Sequence, residues 1–261
     1  MLYPQHQCMI EKVTAFVRED ARFFGAALGG SYISGNMDEF SDLDFVLVCR
    51  DEVRKAVMAD RLSIISQFGP LLSAFTGEHV GEPRLIICLY EDGLLHVDFK
   101  FVTLEEFEQR VEDPIVLWEE DGLLSQTIAQ TPSCWPVPDL QWIEDRFWIW
   151  IHYGVTKLGR GELFELLDHL AMIRRVVLAP MMAMAEGKTP RGVRKIETDA
   201  PGKTAVLERA VATHNTASCA EALRACVASY LELREILAGE GLCKKETAQQ
   251  MVLEFLKTIA E

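Results

Sequence analysis

The sequence lacks the features of a membrane protein and of a disulfide-stabilised one. No apolar stretch approaches the ~20 residues that a helix needs to cross a bilayer. The opening MLYPQHQCMIEK has no basic segment followed by an apolar one, which predicts no signal peptide. The 7 cysteines are odd in number and form no C-x-x-C pair, so we expect reduced thiols and neither disulfides nor a zinc site. These absences predict a soluble, cytoplasmic protein.

Basic residues are scarce relative to acidic ones. Lys and Arg together number 26 against 40 for Asp and Glu, which gives a formal net charge of −14. A surface this negative repels nucleic-acid backbones and anionic membranes, so we expect neither as a partner. It suits a cationic small substrate, although solubility alone accounts for such a charge in many proteins. The 261 residues, 49% of them hydrophobic, allow one large or two small domains with a substantial core.

The first half of the chain alternates between strand-like and helix-like segments. The strand-like runs are short and rich in β-branched or aromatic residues, and an Asp-Gly turn joins the last two. The helix-like runs have apolar stripes, and Thr103 with Glu106 forms a capping-box pattern before the last of them. We predict strands at residues 23–28, 43–49, 84–90 and 94–102, and helices at residues 9–18, 52–68 and 104–111.

The second half is predicted to be helical. Residues 131–138 carry three prolines, which neither a helix nor a central strand tolerates, so we place a domain boundary there. Apolar stripes at helical spacing follow it, and residues 186–203 are predicted to form a long loop. The predicted class is α/β (α+β). An N-terminal catalytic domain at residues 1–133 has a mixed sheet with flanking helices, and residues 137–261 form an all-helical bundle that binds substrate.

Three aspartates and a glycine-serine turn form the most informative pattern. Residues two apart in a strand point to the same side, so Asp42 and Asp44 place two carboxylates together while Leu43 points into the core. By the same alternation Asp98 lies on the polar side of a later strand. If the two strands are neighbours, three carboxylates converge.

Converging carboxylates repel one another unless a cation lies between them, and their oxygens suit Mg²⁺. Mg²⁺ held in this way completes its shell with phosphate oxygens, which points to phosphoryl or nucleotidyl transfer with two metal ions. Gly29 and Gly30 let the backbone approach a phosphate closely, and Ser31 offers a hydroxyl and an N–H group at the start of a short helix.

Gly30-Ser31 followed by Asp42-Leu43-Asp44 resembles the G-S…D-x-D signature of the DNA polymerase beta-like nucleotidyltransferase superfamily. The continuation GNMDEFSDLDFVLV is similar in particular to bacterial nucleotidyltransferases that adenylylate aminoglycosides and lincosamides. The resemblance implies metal ligation by Asp42, Asp44 and Asp98, and triphosphate contacts from Gly30 and Ser31. It also implies transfer of AMP from ATP to a hydroxyl group.

Several residues could supply the remaining chemistry. His96 and Lys100 share a face with Asp98 and are interpreted first as surface partners. The general base is left open, because Asp98 could serve and the helical half offers further carboxylates. Those carboxylates are Glu144, Asp145, Glu165 and Asp168. Cations that could reach a triphosphate, but more often cover a helix surface, are Lys157, Arg174 and Arg175.

Three functions remain open at this stage. The first is AMP transfer to a small hydroxyl-bearing acceptor, such as an antibiotic, which would confer antibiotic resistance. The second is AMP transfer onto a partner protein, and the third is a non-catalytic module that binds nucleotides for regulation. A homodimer is left open. The intact set of aspartates favours turnover over a decayed site.

Overall fold

The computed structural model describes residues 3–239 and 241–260. The chain divides into two compact units, of which the first ends at Trp135 and the second begins at Pro136. None of the helices in this described part of the chain is long and apolar enough to span a membrane.

The first unit is built on a six-stranded mixed sheet. Its strand order is β3-β4-β5-β2-β1-β6, in which β2 and β5 pair in parallel and all other neighbours pair antiparallel. The strands are β1 Phe23–Leu28, β2 Leu43–Cys49, β3 Leu71–Gly77, β4 Glu82–Tyr90, β5 Leu95–Val102 and β6 Ile115–Glu119. The predicted mixed sheet is therefore confirmed, and it contains two strands, β3 and β6, that the sequence patterns did not predict.

Helices cover both faces of this sheet. The helices are α1 Pro4–Glu19, α2 Arg54–Ile65, α3 Leu104–Glu108 and α4 Leu123–Gln130. On one face Val13 of α1 and Ile64 of α2 join the larger cluster of buried side chains. On the other face Phe107 of α3 and Leu124 of α4 pack over a smaller cluster. The predicted capping box is present at the start of α3, where the Thr103 hydroxyl and the Glu106 carboxylate bond to each other's backbone amides.

The pairing of β2 with β5 lies at the centre of the larger cluster. Alternate residues of the two strands are fully buried, and the rings of Phe45 and Phe99 stack at 5.2 Å between centroids. The same register pairs Asp44 with Asp98 on the side of the sheet opposite to these rings. Burial of the alternate apolar residues therefore fixes which way the aspartates face.

The second unit is helical, as predicted, with one core. Within residues 186–203, where the sequence predicts a loop, the structure contains a short helix and a 3₁₀ turn at Pro201–Lys203. A π-helical turn at Arg174–Leu178 separates two of the helices. The helices are α5 Leu140–Arg160, α6 Leu163–Ile173, α7 Ala179–Ala185, α8 Ile196–Asp199, α9 Thr204–Arg209, α10 Thr216–Leu237 and α11 Glu246–Ala260.

A fully buried carboxylate, Glu144 of α5, organises polar groups inside this helical core. It accepts hydrogen bonds from Trp148 Nε1 at 3.2 Å, from the Lys245 amide at 2.8 Å and from the Tyr230 hydroxyl, and it pairs with Arg234 at 3.3 Å. Burial raises the pKa of Glu144, but these donors outweigh burial and leave the pKa below its ordinary value. Glu144 therefore ties α5 to α10 and to the segment before α11.

We expect E144Q to lower the free energy of unfolding by about 3 kcal/mol, because it removes the only buried carboxylate that pairs with the buried Arg234 guanidinium among the described residues and leaves only the exposed Glu235. The pKa of Glu144 is lowered in the folded state. Its contribution to the stability of the fold is therefore fully present above the ordinary pKa range of glutamate, and it is lost as the pH falls through the folded-state pKa. The difference in the free energy of unfolding between wild type and E144Q should therefore become smaller at acidic pH. Urea denaturation between pH 7 and pH 3 measures it.

The matched control for this prediction is E235Q, which removes the exposed carboxylate that also contacts Arg234. We expect E235Q to leave the melting temperature unchanged, because an exposed ion pair contributes little. Equal destabilisation by E144Q and E235Q would contradict the special role of the buried carboxylate.

Candidate active site

The turn after β1 has a backbone conformation that only glycine accommodates easily. The Gly29 amide donates to the Asp44 carbonyl at 2.9 Å, which extends the pairing of β1 with β2. Gly30 follows with φ +62°, and a Cβ atom there would lie 2.0 Å from Asp44 Oδ2. The absence of a side chain at Gly30 thus makes room for the Asp44 carboxylate against the turn.

Ser31 begins the short 3₁₀ segment Gly30–Tyr32 that follows the turn. Its side chain is only 9% exposed, and its Oγ atom is buried without a hydrogen-bond partner. Buried hydroxyl groups nearly always have a partner, so an unpaired one beside a turn calls for an explanation. An oxygen-rich ligand, such as a phosphate, is one chemically suitable partner.

Asp44 and Asp98 are direct neighbours on the parallel strands β2 and β5. Both side chains are half-buried. His96 Nε2 lies 3.0 Å from Asp98 Oδ1, and the two residues share a face of β5, as strand alternation predicts. The condition stated from the sequence, that the two aspartate-bearing strands are neighbours, is met.

Asp42 lies two residues before Asp44, immediately ahead of β2, and is also half-buried. The preceding carbonyl, of Ser41, bonds to the buried His6 ring at 2.8 Å, which anchors this end of the loop to α1. Within residues 3–239 and 241–260, no group of three or more His, Cys, Asp or Glu side chains is gathered closely enough to hold a metal ion. The structure thus brings Asp44 and Asp98 together and does not assemble all three aspartates into one ligand group.

Glu112 is a neighbour of the turn that the sequence patterns did not reveal. It lies in the segment between α3 and β6, and its Oε1 atom accepts a hydrogen bond from the Gly30 amide at 2.8 Å. Nothing in the run VEDP around it distinguishes Glu112 from an ordinary solvated carboxylate. Only the folded chain, which places it 82 positions from its partner, identifies the contact.

Lys100, on the same strand as Asp98, is engaged in an ion pair on the sheet. Its Nζ atom lies 2.9 Å from Glu82, and Arg84 contacts the same carboxylate at 2.7 Å. Hydrogen bonds from Arg84, and then from Lys100, lower the pKa of Glu82 to about 2 even though burial raises it. The interpretation of Lys100 as a surface partner is therefore supported by its contacts.

Three of the four carboxylates considered as bases in the helical unit have local partners of their own. Glu144 belongs to the buried network described above, which makes it a structural residue and a poor candidate for a general base. Asp145 pairs with Lys245 at 3.0 Å, and Glu165 pairs with Lys157 at 2.9 Å. Asp168 is exposed.

The family model described as streptomycin adenylyltransferase matches residues 4–190, a stretch that contains every site residue predicted from the sequence. No curated protein matches the chain significantly.

Two solved structures resemble the chain over nearly its whole length. An aminoglycoside 6-adenyltransferase from Bacillus subtilis is 18% identical, with 99% of each chain covered and a TM-score of 0.43. A nucleotidyltransferase-like protein from Exiguobacterium sibiricum is 11% identical, with 98% of this chain and 89% of that chain covered and a TM-score of 0.38. Similarities this distant carry no conclusion about the present chain. The family match covers well over half of the sequence, and the chain therefore belongs to the streptomycin adenylyltransferase family of nucleotidyltransferases.

Proposed function

We propose that this nucleotidyltransferase transfers AMP from ATP to a hydroxyl group of a small, antibiotic-like acceptor, with Mg²⁺ as its cofactor. The observation that carries the proposal is the direct pairing of Asp44 with Asp98 beside a glycine-serine turn. Carboxylates on neighbouring strands and a backbone turn with an unpaired buried hydroxyl are the two parts that a metal-bridged triphosphate requires.

Asp42, Asp44 and Asp98 are the residues proposed to hold Mg²⁺, with two ions expected. Their chemistry fits a hard divalent cation, since carboxylate oxygens are the ligands that Mg²⁺ prefers. When bound, Mg²⁺ would neutralise charge on the phosphates and on the leaving pyrophosphate. The contribution of Asp44 also depends on the turn, because Gly30 leaves space for its carboxylate.

Ser31 is proposed to bind a phosphate oxygen of the triphosphate. Its hydroxyl is the buried polar atom beside the turn that has no protein partner. A hydrogen bond to a charged phosphate oxygen would satisfy it and would fix the triphosphate relative to the aspartates. The remaining protein task is to remove the proton of the acceptor hydroxyl. Asp98 is proposed for this step, with His96 holding its carboxylate from one side.

The acceptor class is proposed from the family and from the charge of the chain. The streptomycin adenylyltransferase family implies a small-molecule acceptor. The net charge of −14 favours a cationic acceptor such as an aminoglycoside over a neutral one. We further propose that the protein acts in the cytoplasm, where ATP is available. Transfer of AMP onto a partner protein and nucleotide binding without turnover are the two rival functions.

The decisive experiment incubates the purified protein with Mg²⁺, α-labelled ATP and a panel of aminoglycosides and lincosamides. We expect labelled AMP on an aminoglycoside, and we expect D44N and D98N each to slow the transfer by at least about 10³-fold. The melting temperatures of both variants are measured beside that of wild type, so that a loss of rate in the folded protein is separated from a loss of folding.

The matched control is E39Q, which removes an exposed carboxylate from the loop that leads to Asp42 and should leave the rate within a factor of two or three. Label on a protein band of a lysate, with none on any antibiotic, would favour the partner-protein alternative. ATP binding without any adduct would favour the non-catalytic one.

A second prediction concerns the glycine at the turn. G30A should lower kcat/KM by about 100-fold or more, because its Cβ atom would displace the Asp44 carboxylate by an ångström or more. G35A is the matched control, since Gly35 has a similar φ of +67° but no atom within 4 Å of an added Cβ. Both variants carry the same kind of backbone strain, and only G30A disturbs the aspartate. Steady-state kinetics on both checks this, and equal losses would contradict the steric role of Gly30.

A further inference from the structure

The Gly30 amide is bound by a carboxylate from outside the predicted motif. Strand β1 lies between β2 and β6 in the sheet. Gly29 donates its N–H group toward β2, to the Asp44 carbonyl, and the next amide, of Gly30, donates to Glu112, which precedes β6. Successive amides of an extended chain point to opposite neighbours, so the Glu112 side chain takes the place of a β6 carbonyl where that strand has not yet begun.

This contact places the turn between two carboxylates. Asp44 Oδ2 lies on one side, where it would touch a Cβ atom of Gly30 at 2.0 Å. Glu112 Oε1 lies on another, 2.8 Å from the Gly30 nitrogen and 3.4 Å from the position of a Gly29 Cβ atom. A backbone N–H group bonded to a carboxylate forms a charge-assisted hydrogen bond, which holds the left-handed conformation of Gly30 more firmly than a neutral acceptor would.

The contact also changes which groups are available to a phosphate. One N–H group cannot bond fully to Glu112 and to a phosphate oxygen at once, and the two acceptors repel each other because both are negative. Ser31, whose Oγ atom is buried without a partner, is available. The family resemblance leads us to expect that both Gly30 and Ser31 contact the triphosphate. At the Gly30 amide, however, Glu112 competes with the phosphate for the same N–H group.

We propose that Glu112 is a positioning residue of the nucleotide site. It fixes the Gly30 amide, and through the turn it presents the Ser31 hydroxyl and the Asp44 carboxylate to the nucleotide, while Gly30 contributes its conformation and not its N–H group. This inference rests on the proposed function, since it assumes that a nucleoside triphosphate binds at this turn.

The test uses E112A and E112Q of the full chain, with isothermal titration by Mg-ATP and steady-state kinetics. E112A removes the acceptor, and we expect its Kd for Mg-ATP to rise about tenfold. E112Q keeps an amide oxygen that can accept the Gly30 N–H, so we expect its Kd to stay within about threefold of wild type. E108A, which removes an exposed carboxylate from the end of α3, is the matched control and should bind as wild type does.

A double-mutant cycle with S31A separates positioning from a general loss of stability. If Glu112 acts through the turn that carries Ser31, the effects of E112A and S31A on Kd should be clearly less than multiplicative, since each removes the same triphosphate contact. Independent, multiplicative effects would overturn the proposed route through Ser31. If E112A proves too unstable to titrate, E112D replaces it, because it keeps the charge but shortens the reach and should also weaken binding.

Two results for the Mg-ATP affinity would contradict the proposal. If E112A and E112Q both bind Mg-ATP more tightly than wild type, Glu112 competes with the phosphates and does not position them, and the proposal is wrong. Wild-type affinity in E112A also overturns it.

Amide hydrogen exchange without nucleotide separates this proposal from the proposed function. Exchange at Gly30 should be about tenfold faster in E112A than in wild type and only about threefold faster in E112Q, whose neutral oxygen accepts a weaker hydrogen bond. If the exchange behaves in this way but the wild-type protein binds no nucleoside triphosphate, the proposed function fails while the role of Glu112 in holding the turn stands. If wild type binds Mg-ATP and the exchange is unchanged in E112A, the positioning role alone fails.

Discussion

Two aspartates on neighbouring parallel strands must stay side by side although their charges repel, and the first unit depends on this constraint. For unit charges about 5 Å apart at an effective dielectric constant of about 20, repulsion is roughly 3 kcal/mol. Strands β2 and β5 cannot relieve it by slipping one position, because a slip would turn Asp44 into the core and the Phe45 ring out of it. The buried stack of Phe45 on Phe99 and the apolar pairs around it hold the register. Hydrophobic burial on one face thus keeps the two carboxylates at paired positions on the other face, where the proposed Mg²⁺ would bind.

The turn after β1 obeys a related constraint. Gly30 has to adopt a left-handed conformation and also has to lack a side chain, because the Asp44 carboxylate occupies the space where a Cβ atom would lie. Sequence reasoning attributed this glycine to the close approach of a phosphate. The structure adds a reason internal to the protein, namely that Gly30 packs against a carboxylate of the same site while Glu112 holds its amide. The proposed approach of a phosphate and the local packing therefore both favour glycine at this position.

The sequence predicted the segments whose patterns reflect their own burial. The bounds of β1 and β2 match the predicted ranges, because both strands are central and their apolar residues stand out from the turns around them. Strand β3 was not predicted because it is an edge strand. Its Leu72 and Phe75 are more than half exposed, so its sequence shows no clear alternation of buried apolar and exposed polar residues. The other edge strand, β6, is at most half-buried throughout. Each of these strands is stabilised by pairing with its neighbour in the sheet, and the sequence of a single segment does not show which segment that neighbour is.

The residues of the candidate site also differ in whether the sequence reveals them. Asp42, Asp44 and Asp98 could be proposed from spacing, because strand alternation converts spacing into a shared face. Glu112 could not, since its contact joins a side chain to a backbone amide far away in sequence, and a backbone amide has no sequence signature. Glu144 and Ser31 are both buried polar residues, and the sequence alone does not show whether either one has a hydrogen-bond partner. Both are polar residues near apolar stretches, and only the fold reveals that one is surrounded by donors while the other has none.

Glu144 and the paired aspartates, for which a catalytic role is proposed, differ in the groups that surround them. Around Glu144 the protein supplies a guanidinium, an indole, a hydroxyl and a backbone amide, so the negative charge is satisfied from within and its pKa is lowered. Asp44 and Asp98 have as their nearest strand neighbour another carboxylate. The net charge of −14 includes both of these aspartates, and two carboxylates at paired positions of neighbouring strands favour the approach of a cation to this part of the sheet. A divalent cation bound beside these two carboxylates, as proposed, would stabilise the folded first unit by mass action.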